Sequence, residues 1–222
     1  GGEAMPRDLA EQLLPRCKEL WNMYGPTETT VWSSIHHVQN GHGPIPVGKP
    51  IANTTFYILD QQQRPLPIGI PGELYIGGAG VAHGYFNCPE LTAEKFLQAA
   101  DVAPLAAILP EAAQTQRLYR TGDLARFLPD GSVDFLGRLD HQVKVRGYRI
   151  ELGEIEAVLA RHPALREVVV TTKEIAAGDV RLVAYLIPGD DRPETAELRK
   201  FVGDSLPDYM IPAAFVTLDA FP

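Results

Sequence analysis

Residues 24–30, Tyr-Gly-Pro-Thr-Glu-Thr-Thr, place three threonine hydroxyls and one carboxylate in four consecutive positions just after a Gly-Pro chain break. Thr27 can donate a hydrogen bond to a phosphate oxygen, and Glu28 offers the hard oxygen ligand that Mg²⁺ prefers. Tyr24 can present its flat ring to a nucleotide base. The stretch can therefore serve the base, the phosphate and the metal of a nucleotide, although Thr and Glu after a chain break are also typical of a capped helix start.

A second oxygen group lies in residues 119–127, Tyr-Arg-Thr-Gly-Asp-Leu-Ala-Arg-Phe. Asp123 follows a glycine, so its backbone and its carboxylate can approach a ligand together. A single carboxylate that accepts two hydrogen bonds suits the diol of a ribose. Taken alone, an ordinary Gly-Asp turn explains the same residues.

Basic residues concentrate between residues 137 and 156. Lys144 and Arg146 are two residues apart on one strand face, and Arg138 and Arg149 flank them. The cluster can offer positive charge to phosphates or to an acidic partner, and a solvated cationic face is the alternative interpretation.

Two further patterns indicate what the chain does not contain. The glycine-rich residues 77–86 lack the Gly-Lys-Ser/Thr ending and the strand–glycine–helix order of a P-loop, so we interpret them as a closely packed turn and exclude a dinucleotide fold. His36, His37, His42 and His83 share no ligand spacing, so we assign no metal site to histidine.

Charge and composition narrow the possible partners. The 222 residues carry a net charge of −8, so no basic excess exists to neutralise nucleic acid or an anionic membrane. Cys17 and Cys88 lack the spacing of a metal site or a redox pair, which favours a reduced, cytoplasmic setting. No apolar run approaches the ~18 residues of a membrane helix, and no leader sequence opens the chain.

Hydrophobic periodicity and turn residues predict the elements that position these groups. In the first part of the chain they predict a helix over 6–16, a strand that ends at Tyr24, strands over 31–38, 54–60 and 72–78, a helix over 89–100, and a hairpin about 129–131. Residues 101–116 are alanine-rich and contain two prolines, and we interpret them as a surface loop or partial helix.

The pattern changes near Asp140. Beyond it we predict a strand or hairpin over 141–150, helices over 151–162 and 194–206, a hairpin of 166–175 with 179–188, and a last strand over 213–219. This stretch has the size of a small α+β domain. We therefore predict the α+β fold class, with one domain in residues 1–139 and a second in residues 140–222.

Five stretches in sequence order resemble the adenylate-forming superfamily. They are NMYGPTETT (22–30), GELYIGGAGVAHGYFNCPELTAEKF (72–96), YRTGDLARFLPDG (119–131), GRLDHQVKVRGYRIELGEIE (137–156) and LPDYMIP (206–212). Within that superfamily the chain is identified as a member of the amino-acid-activating adenylation domains of nonribosomal peptide synthetases. The resemblance covers essentially the whole chain. It implies that the first domain is the C-terminal portion of a large core with strands of a distorted β-barrel, and that the second is the small C-terminal subdomain.

The resemblance assigns roles by motif match. Tyr24 and Gly25 lie against the nucleotide, with the Tyr24 ring stacked on adenine. Thr27 contacts the phosphate, and Glu28 helps to hold Mg²⁺, so these two are the expected catalytic residues. Asp123 binds the ribose hydroxyls.

Further roles follow from the later motifs. Phe135 stands where the family often has Tyr near the nucleotide, so a hydroxyl contact is expected to be missing. Arg138 lies close to the ribose–phosphate region. Asp140 is the expected hinge, and Gly147 lines the expected path of pantetheine.

The resemblance also implies a reaction that uses ATP, Mg²⁺ and an amino acid. The amino-acid carboxylate attacks the α-phosphorus, pyrophosphate leaves, and the aminoacyl-adenylate stays bound. After rotation of the C-terminal subdomain, the phosphopantetheine thiol of a peptidyl carrier protein takes the acyl group as a thioester. A neighbouring condensation domain is a further expected partner, and neither nucleic acid nor a membrane is expected.

Side-chain selectivity is visible only in part. By resemblance, the substrate pocket is lined by Gly1, Met23, Val31 and Trp32, none of which is charged. We expect a substrate with a small or medium neutral side chain, similar to a threonine-type pocket except for the large Trp32.

The chain is expected to be a C-terminal fragment of its domain. The family's phosphate loop would lie before Gly1, and its C-terminal lysine motif would lie beyond Pro222. We expect the fragment alone to be inactive, and poorly soluble because cut sheet edges and apolar faces associate. Two alternatives stay open: an acyl-CoA or aryl-acid ligase of the same superfamily, and a non-catalytic docking module.

Overall fold

A computed structural model describes residues 3–139, 142–145, 147–176, 179–189 and 191–221 of the protein. The chain divides after Leu139 into two compact units. Both units combine helices with mainly antiparallel strands, which confirms the predicted α+β class.

The first unit contains four short α-helices and eight strands among its described residues. The helices are α1 (Arg7–Leu13), α2 (Pro89–Lys95), α3 (Ala103–Ala106) and α4 (Glu111–Gln114). The strands are β1 (Leu20–Tyr24), β2 (Ser34–Val38), β3 (Lys49–Pro50), β4 (Thr54–Leu59), β5 (Gly72–Gly78), β6 (Phe96–Gln98), β7 (Arg117–Phe127) and β8 (Val133–Arg138).

A large antiparallel sheet forms the centre of this unit, with strand order β4-β5-β7-β6 and β8 beside β7. Because alternate residues of a strand point to opposite faces, β5 buries Leu74 and Ile76 on one face beside Phe56, and Tyr75 on the other face beside Leu118. Among the described residues this sheet is open, so the strands expected in a distorted barrel form an open, doubly covered sheet here.

A smaller antiparallel sheet, β1-β2-β3, meets the large one where the chain before β3 crosses β8. The N–H of Val133 in β8 donates to the carbonyl of Gly48 (2.9 Å), and the N–H of Val47 donates to the carbonyl of Val133 (2.9 Å). Gly48 has φ +91°, and a Cβ there would lie 2.1 Å from the carbonyl oxygen of Ile35. Only glycine fits this crossing, which brings β1 and β8 to the same region.

The helix predicted over 89–100 is wrong at its C-terminal end. α2 stops at Lys95, and Phe96 to Gln98 form β6, which pairs with the first residues of β7. Phe96 is buried between the aromatic rings of Tyr85 and Tyr119. Strand pairing and this burial override the helical pattern of the local sequence.

Residues 101–116 form the short helices α3 and α4 with connecting turns, which matches the partial-helix interpretation. They are not merely a surface loop, since Val102 and Leu105 are fully buried beneath the large sheet with Ala99.

The second unit follows the predicted order closely. Its elements are β9 (Gln142–Val145), β10 (Tyr148–Glu151), α5 (Leu152–Leu159), β11 (Leu165–Ala176), β12 (Asp179–Pro188), α6 (Thr195–Gly203) and β13 (Ala214–Thr217). β11 and β12 are antiparallel, and β13 lies parallel beside β12.

The two helices of this unit bury the faces that their periodicity predicts. α5 places Ile155 and Leu159 in the core, and α6 contributes Leu198 and Val202. None of the helices among the described residues of either unit is long and apolar enough to cross a membrane.

The core of the second unit is tested by a matched pair of isoleucine substitutions. Ile155→Ala removes a fully buried side chain, whereas Ile175→Ala removes one that is 59% exposed. We expect Ile155→Ala to lower the free energy of unfolding by about 2–5 kcal/mol because it leaves a cavity, and Ile175→Ala to change it by about 0.5 kcal/mol or less. Native-state hydrogen exchange of amides in α5 and β12 measures this unit separately. Equal losses for the two variants would contradict the assigned core.

Candidate functional site

The turn after β1 carries the first candidate residues. Tyr24 ends β1, and Thr27–Thr29 form one turn of 3-10 helix. The alternative of a capped helix start is therefore right in part: a 3-10 helix begins at Thr27, but Pro26 precedes it and no side chain of the described residues caps it. Glu28 is buried, with 8% of its surface exposed, whereas Thr27 is exposed.

Gly25 is required where the chain leaves β1. A Cβ atom there would lie 2.6 Å from the carbonyl oxygen of Val31 and 2.7 Å from the backbone nitrogen of Ser33. The N–H of Ser33 donates to the carbonyl of Tyr24 (2.8 Å), so the chain returns close against itself. This close backbone packing sets the position of Glu28.

The glycine-rich residues 77–86 pack against the same turn. The N–H of Ala82 donates to the carbonyl of Glu28 (2.8 Å), and the hydroxyl of Thr30 donates to the carbonyl of Gly80 (2.7 Å). The interpretation of this stretch as a closely packed turn is confirmed.

The Glu28 carboxylate meets a cluster of aromatic residues. The Tyr85 hydroxyl donates to Glu28 Oε1 (2.6 Å) and lies 3.4 Å from the Tyr119 hydroxyl. The ring of Phe96 packs edge-on against Tyr85, with centroids 5.3 Å apart. Burial raises the pKa of Tyr85, and its hydrogen bond to Glu28 raises it further, so the hydroxyl stays protonated and donates.

Asp123 lies in a β-bulge. One residue of β5, between Glu73 and Tyr75, faces the three residues 121–123 of β7. Gly122 has φ +74°, the left-handed conformation that such bulges use. The alternative of an ordinary Gly-Asp turn is therefore wrong, because Asp123 is part of a continuous strand.

The Asp123 carboxylate is 5% exposed and is held from several sides. The Tyr24 hydroxyl donates to Oδ2, and Arg138 Nη1 donates to Oδ1 (2.8 Å). The Asp123 N–H donates to the hydroxyl oxygen of Thr121 (2.9 Å), and this hydroxyl donates to the carbonyl of Leu74 (2.7 Å). The buried charge is thus paired with a cation and hydrogen-bonded, as a stable buried carboxylate requires.

The Tyr24 ring is fixed at both ends. Burial raises its pKa well above the ordinary value, and the negative charge of Asp123 raises it further, so the hydroxyl donates to that carboxylate. The ring centroid lies 6.4 Å from Phe56, edge-on, and 6.4 Å from Phe135 at a tilt of 38°. Phe135 reaches the site through its ring, and it carries no hydroxyl.

Glu28 and Asp123 belong to one connected cluster, although they come from distant parts of the sequence. Tyr24 bonds to Asp123 and stands just before the turn that holds Glu28. On the other side, Tyr119 lies on the same strand as Asp123, and its hydroxyl is close to that of Tyr85, which bonds to Glu28. The structure therefore links the two carboxylates that the sequence singled out, through Tyr24 on one side and through Tyr85 and Tyr119 on the other.

The expected substrate-pocket residues are less closely grouped. Met23 is half-buried in β1 and, by strand alternation, points to the face opposite Tyr24. Val31 and Trp32 are 60% and 55% exposed directly after the turn. Gly1 lies outside the described residues. The pocket stays a prediction.

In the second unit, Gly147 stands in the turn between β9 and β10 with φ +80°. Lys144 and Arg149 lie directly opposite each other across these two strands. The expected hinge Asp140, and Arg146 of the basic cluster, lie outside the described residues.

Sequence reasoning missed Tyr85 and Phe96. Tyr85 stands inside the stretch interpreted only as a turn, and Phe96 inside the predicted helix. Both residues belong to the same motif stretch, 72–96, so the sequence marked their neighbourhood without giving either of them a role. Their contacts around Glu28 depend on strand pairing that local patterns do not carry.

The residues of the site fit a magnesium ion that is bound together with a nucleotide. Among the residues that the structure describes, no group of three or more His, Cys, Asp or Glu side chains could hold a metal by itself. Mg²⁺ with a nucleotide is bound mainly by phosphates and water and needs only one or two protein carboxylates. Glu28, a buried carboxylate that follows Thr27 in the sequence, has the chemistry for this.

Comparison with known proteins gives the family. The model of AMP-binding enzymes matches residues 1–86, and the model of the AMP-binding enzyme C-terminal domain matches residues 154–222. The chain therefore belongs to the AMP-binding enzymes.

Within that family, the chain is similar to parts of much larger proteins. It is 50% identical over 223 residues to a dimodular nonribosomal peptide synthase from Bacillus subtilis (strain 168), an alignment that covers 100% of the chain and 9% of the relative. It is 49% identical over 226 residues to tyrocidine synthase 3 from Brevibacillus parabrevis, with 100% of the chain and 3% of the relative covered. The chain thus spans only a small part of the length of these relatives.

Two solved structures share the fold over the whole chain. Holo-PA1221, an NRPS protein containing adenylation and PCP domains and bound to a vinylsulfonamide inhibitor, has a TM-score of 0.84 at 32% identity, with 100% of this chain and 37% of that chain covered. The Vibrio cholerae adenylation domain AlmE, in complex with glycyl-adenosine-5′-phosphate, has a TM-score of 0.85 at 27% identity, with 100% and 41% covered.

The packing of the turn is tested at Gly25. We expect Gly25→Ala to lower the free energy of unfolding of the first unit by about 1–3 kcal/mol, because the new methyl group meets backbone atoms that cannot move aside. Gly41→Ala is the matched control, since a Cβ at Gly41 meets nothing within 4 Å. Urea unfolding followed by fluorescence of Trp21 and Trp32, both in this unit, measures the difference. A Gly25→Ala variant as stable as the control would contradict the close packing.

Proposed function

We propose that the chain is the nucleotide-binding end of an adenylation domain that activates an amino acid for nonribosomal peptide synthesis. The activity is that of the larger parent protein, since the chain covers only part of its relatives. The family and the two structural neighbours support this proposal: one neighbour is bound to glycyl-adenosine-5′-phosphate, an amino acid joined to AMP, and the other contains adenylation and PCP domains.

The observation that carries the proposal is the connected cluster of Glu28 and Asp123. If the two buried carboxylates served only as structural ion pairs, each would need a basic partner. Nothing would require the two to be linked to each other. Here Tyr24, which precedes the Glu28 turn, donates to Asp123. Tyr85, which donates to Glu28, lies next to Tyr119 of the Asp123 strand. A nucleotide presents matching groups: a flat base for the Tyr24 ring, ribose hydroxyls for Asp123, and a metal-bound phosphate for Glu28.

Each residue has a role in holding the nucleotide. Asp123 accepts hydrogen bonds from the ribose hydroxyls, since one ionised carboxylate can accept several hydrogen bonds at once. The Tyr24 ring stacks on adenine, with Gly25 beside it. The Thr27 hydroxyl, at the start of the turn, donates to the phosphate.

Glu28 would hold the magnesium ion of the nucleotide. When bound, Mg²⁺ supplies positive charge that neutralises the phosphate oxygens during adenylate formation. Arg138 adds a fixed cation near the ribose and phosphate. These groups stabilise charge and fix geometry, which are the main protein contributions to chemistry at phosphorus.

The reaction is the transfer of AMP to a carboxylate. A carboxylate oxygen of the amino acid forms a bond to the α-phosphorus of ATP, and the bond from that phosphorus to the bridging oxygen breaks to release pyrophosphate. The aminoacyl-adenylate then gives its acyl group to the phosphopantetheine thiol of a peptidyl carrier protein, and AMP leaves.

We assign the two units to two parts of this domain. Residues 1–139 are the C-terminal portion of the adenylation core, and residues 140–222 are the C-terminal subdomain, with the hinge at Asp140. Gly147 lines the path of pantetheine after rotation. A condensation domain in the parent protein is the further partner that we propose.

We further propose that the substrate is an amino acid with a small or medium neutral side chain. Gly1, Met23, Val31 and Trp32 would line its pocket, and none of them can neutralise a charged side chain. Amino-acid-dependent exchange of pyrophosphate into ATP by the intact parent protein, over a panel of amino acids, tests this. A strong preference for Arg or Glu would overturn the substrate proposal, and exchange with aryl or fatty acids alone would overturn the reaction class.

The nucleotide role of Asp123 is tested by Asp123→Asn in the parent protein. We expect the KM for ATP to rise about 10-fold or more, because hydrogen bonds to a charged acceptor contribute about 1.5–3 kcal/mol.

Asp134→Asn is the matched control. Asp134 is also buried and also pairs with an arginine, Arg126 at 2.9 Å, in the same sheet. Both variants lose a buried ion pair and some stability, but only Asp123→Asn should change the KM for ATP. A similar KM change in both would contradict the assigned role of Asp123.

A further inference from the structure

The Glu28 carboxylate accepts a hydrogen bond from Tyr85. Its hydroxyl donates to Glu28 Oε1 at 2.6 Å, the short distance of a hydrogen bond to an ionised carboxylate. Glu28 is buried at this point, so the bond is shielded from competing water. The motif comparison assigns no role to Tyr85.

Tyr85 is itself anchored independently of Glu28. Its N–H donates to the hydroxyl oxygen of Thr92 in α2 (2.9 Å), and its ring packs edge-on against Phe96 in β6. The preceding Gly84 has φ +146°, and a Cβ there would lie 2.3 Å from Thr92 Cγ2, so this loop is pressed onto α2. The hydroxyl is therefore a fixed point rather than a group that follows Glu28.

A fixed donor of this kind matters most for a magnesium ligand. Mg²⁺ requires near-ideal octahedral geometry, and a free glutamate side chain loses rotamer entropy when it binds. Groups that hydrogen-bond to a ligand from behind fix its orientation, and their loss typically weakens metal binding about 10–100-fold.

We propose that Tyr85 is a positioning residue that fixes the carboxylate of Glu28 for the magnesium–nucleotide complex. This inference rests on the proposed function, because it takes Glu28 as the magnesium ligand. Tyr85 comes from a different motif than Glu28. Through Tyr85, the glycine-rich stretch 77–86 would orient a metal ligand as well as pack against the Glu28 turn.

The variant Tyr85→Phe in the intact parent protein removes the hydroxyl and keeps the ring against Phe96. We expect the dissociation constant of Mn²⁺, measured by electron paramagnetic resonance with a non-hydrolysable ATP analogue present, to rise about 10-fold. The Mg²⁺ concentration for half-maximal pyrophosphate exchange should rise by a similar factor. The thermal midpoint without ligands should differ little from that of the control variant below.

Tyr57→Phe is the matched control. The Tyr57 hydroxyl accepts a hydrogen bond from Gln116 Nε2, also at 2.6 Å, in the same unit. Tyr57→Phe should leave the Mn²⁺ dissociation constant within about 2-fold of the wild type, since it removes a hydroxyl that does not contact Glu28. In addition, Tyr85→Phe should cause little further loss when Glu28 is already Gln, because the hydroxyl acts through that carboxylate.

The outcomes separate the role of Tyr85 from the proposed function. An active wild type whose Mn²⁺ affinity is unchanged by Tyr85→Phe, or changed equally by Tyr57→Phe, would overturn the role of Tyr85 alone. A full additional loss in the Glu28→Gln background would overturn it as well. Wild-type protein without any amino-acid-dependent exchange would refute the proposed function and this inference together.

Discussion

The candidate site of the first unit depends on the burial of two of its carboxylates, Glu28 and Asp123. Moving a charged group out of water costs several kcal/mol unless donors or cations replace the lost hydration. Asp123 accepts hydrogen bonds from Tyr24 and Arg138, and Glu28 accepts one from Tyr85. Much of the local structure can be understood as the means of placing these donors at fixed points.

Three backbone features make this placement possible. The crossing at Gly48 brings β1 beside β8, so that Tyr24 and Phe135 are neighbours. The bulge about Gly122 turns Asp123 within a continuous strand. Gly25 lets the chain fold back directly after Tyr24. In each case a glycine occurs where a side chain would clash with backbone atoms, or where the backbone adopts a left-handed conformation that other residues disfavour.

The sequence predicted what depends on local patterns. Helical spacing placed Ile155 and Leu159 of α5 correctly in the core, and the order of motifs selected Glu28 and Asp123. Prediction from the sequence failed where pairing between distant strands decides the local structure. β6 replaced the end of a predicted helix because Phe96 pairs with β7, and the Glu28–Tyr85 bond joins two separate motifs. The bulge at 121–123 depends on the register between β5 and β7, which no short stretch of sequence specifies.

A structure of the intact parent domain with a non-hydrolysable ATP analogue and Mg²⁺ tests the shared role of the two carboxylates most directly. We expect the Asp123 carboxylate to lie within about 3 Å of the ribose hydroxyls, and Glu28 to contact the metal directly or through a bound water. A nucleotide that contacts only one of these carboxylates, or that binds away from both, would contradict this role.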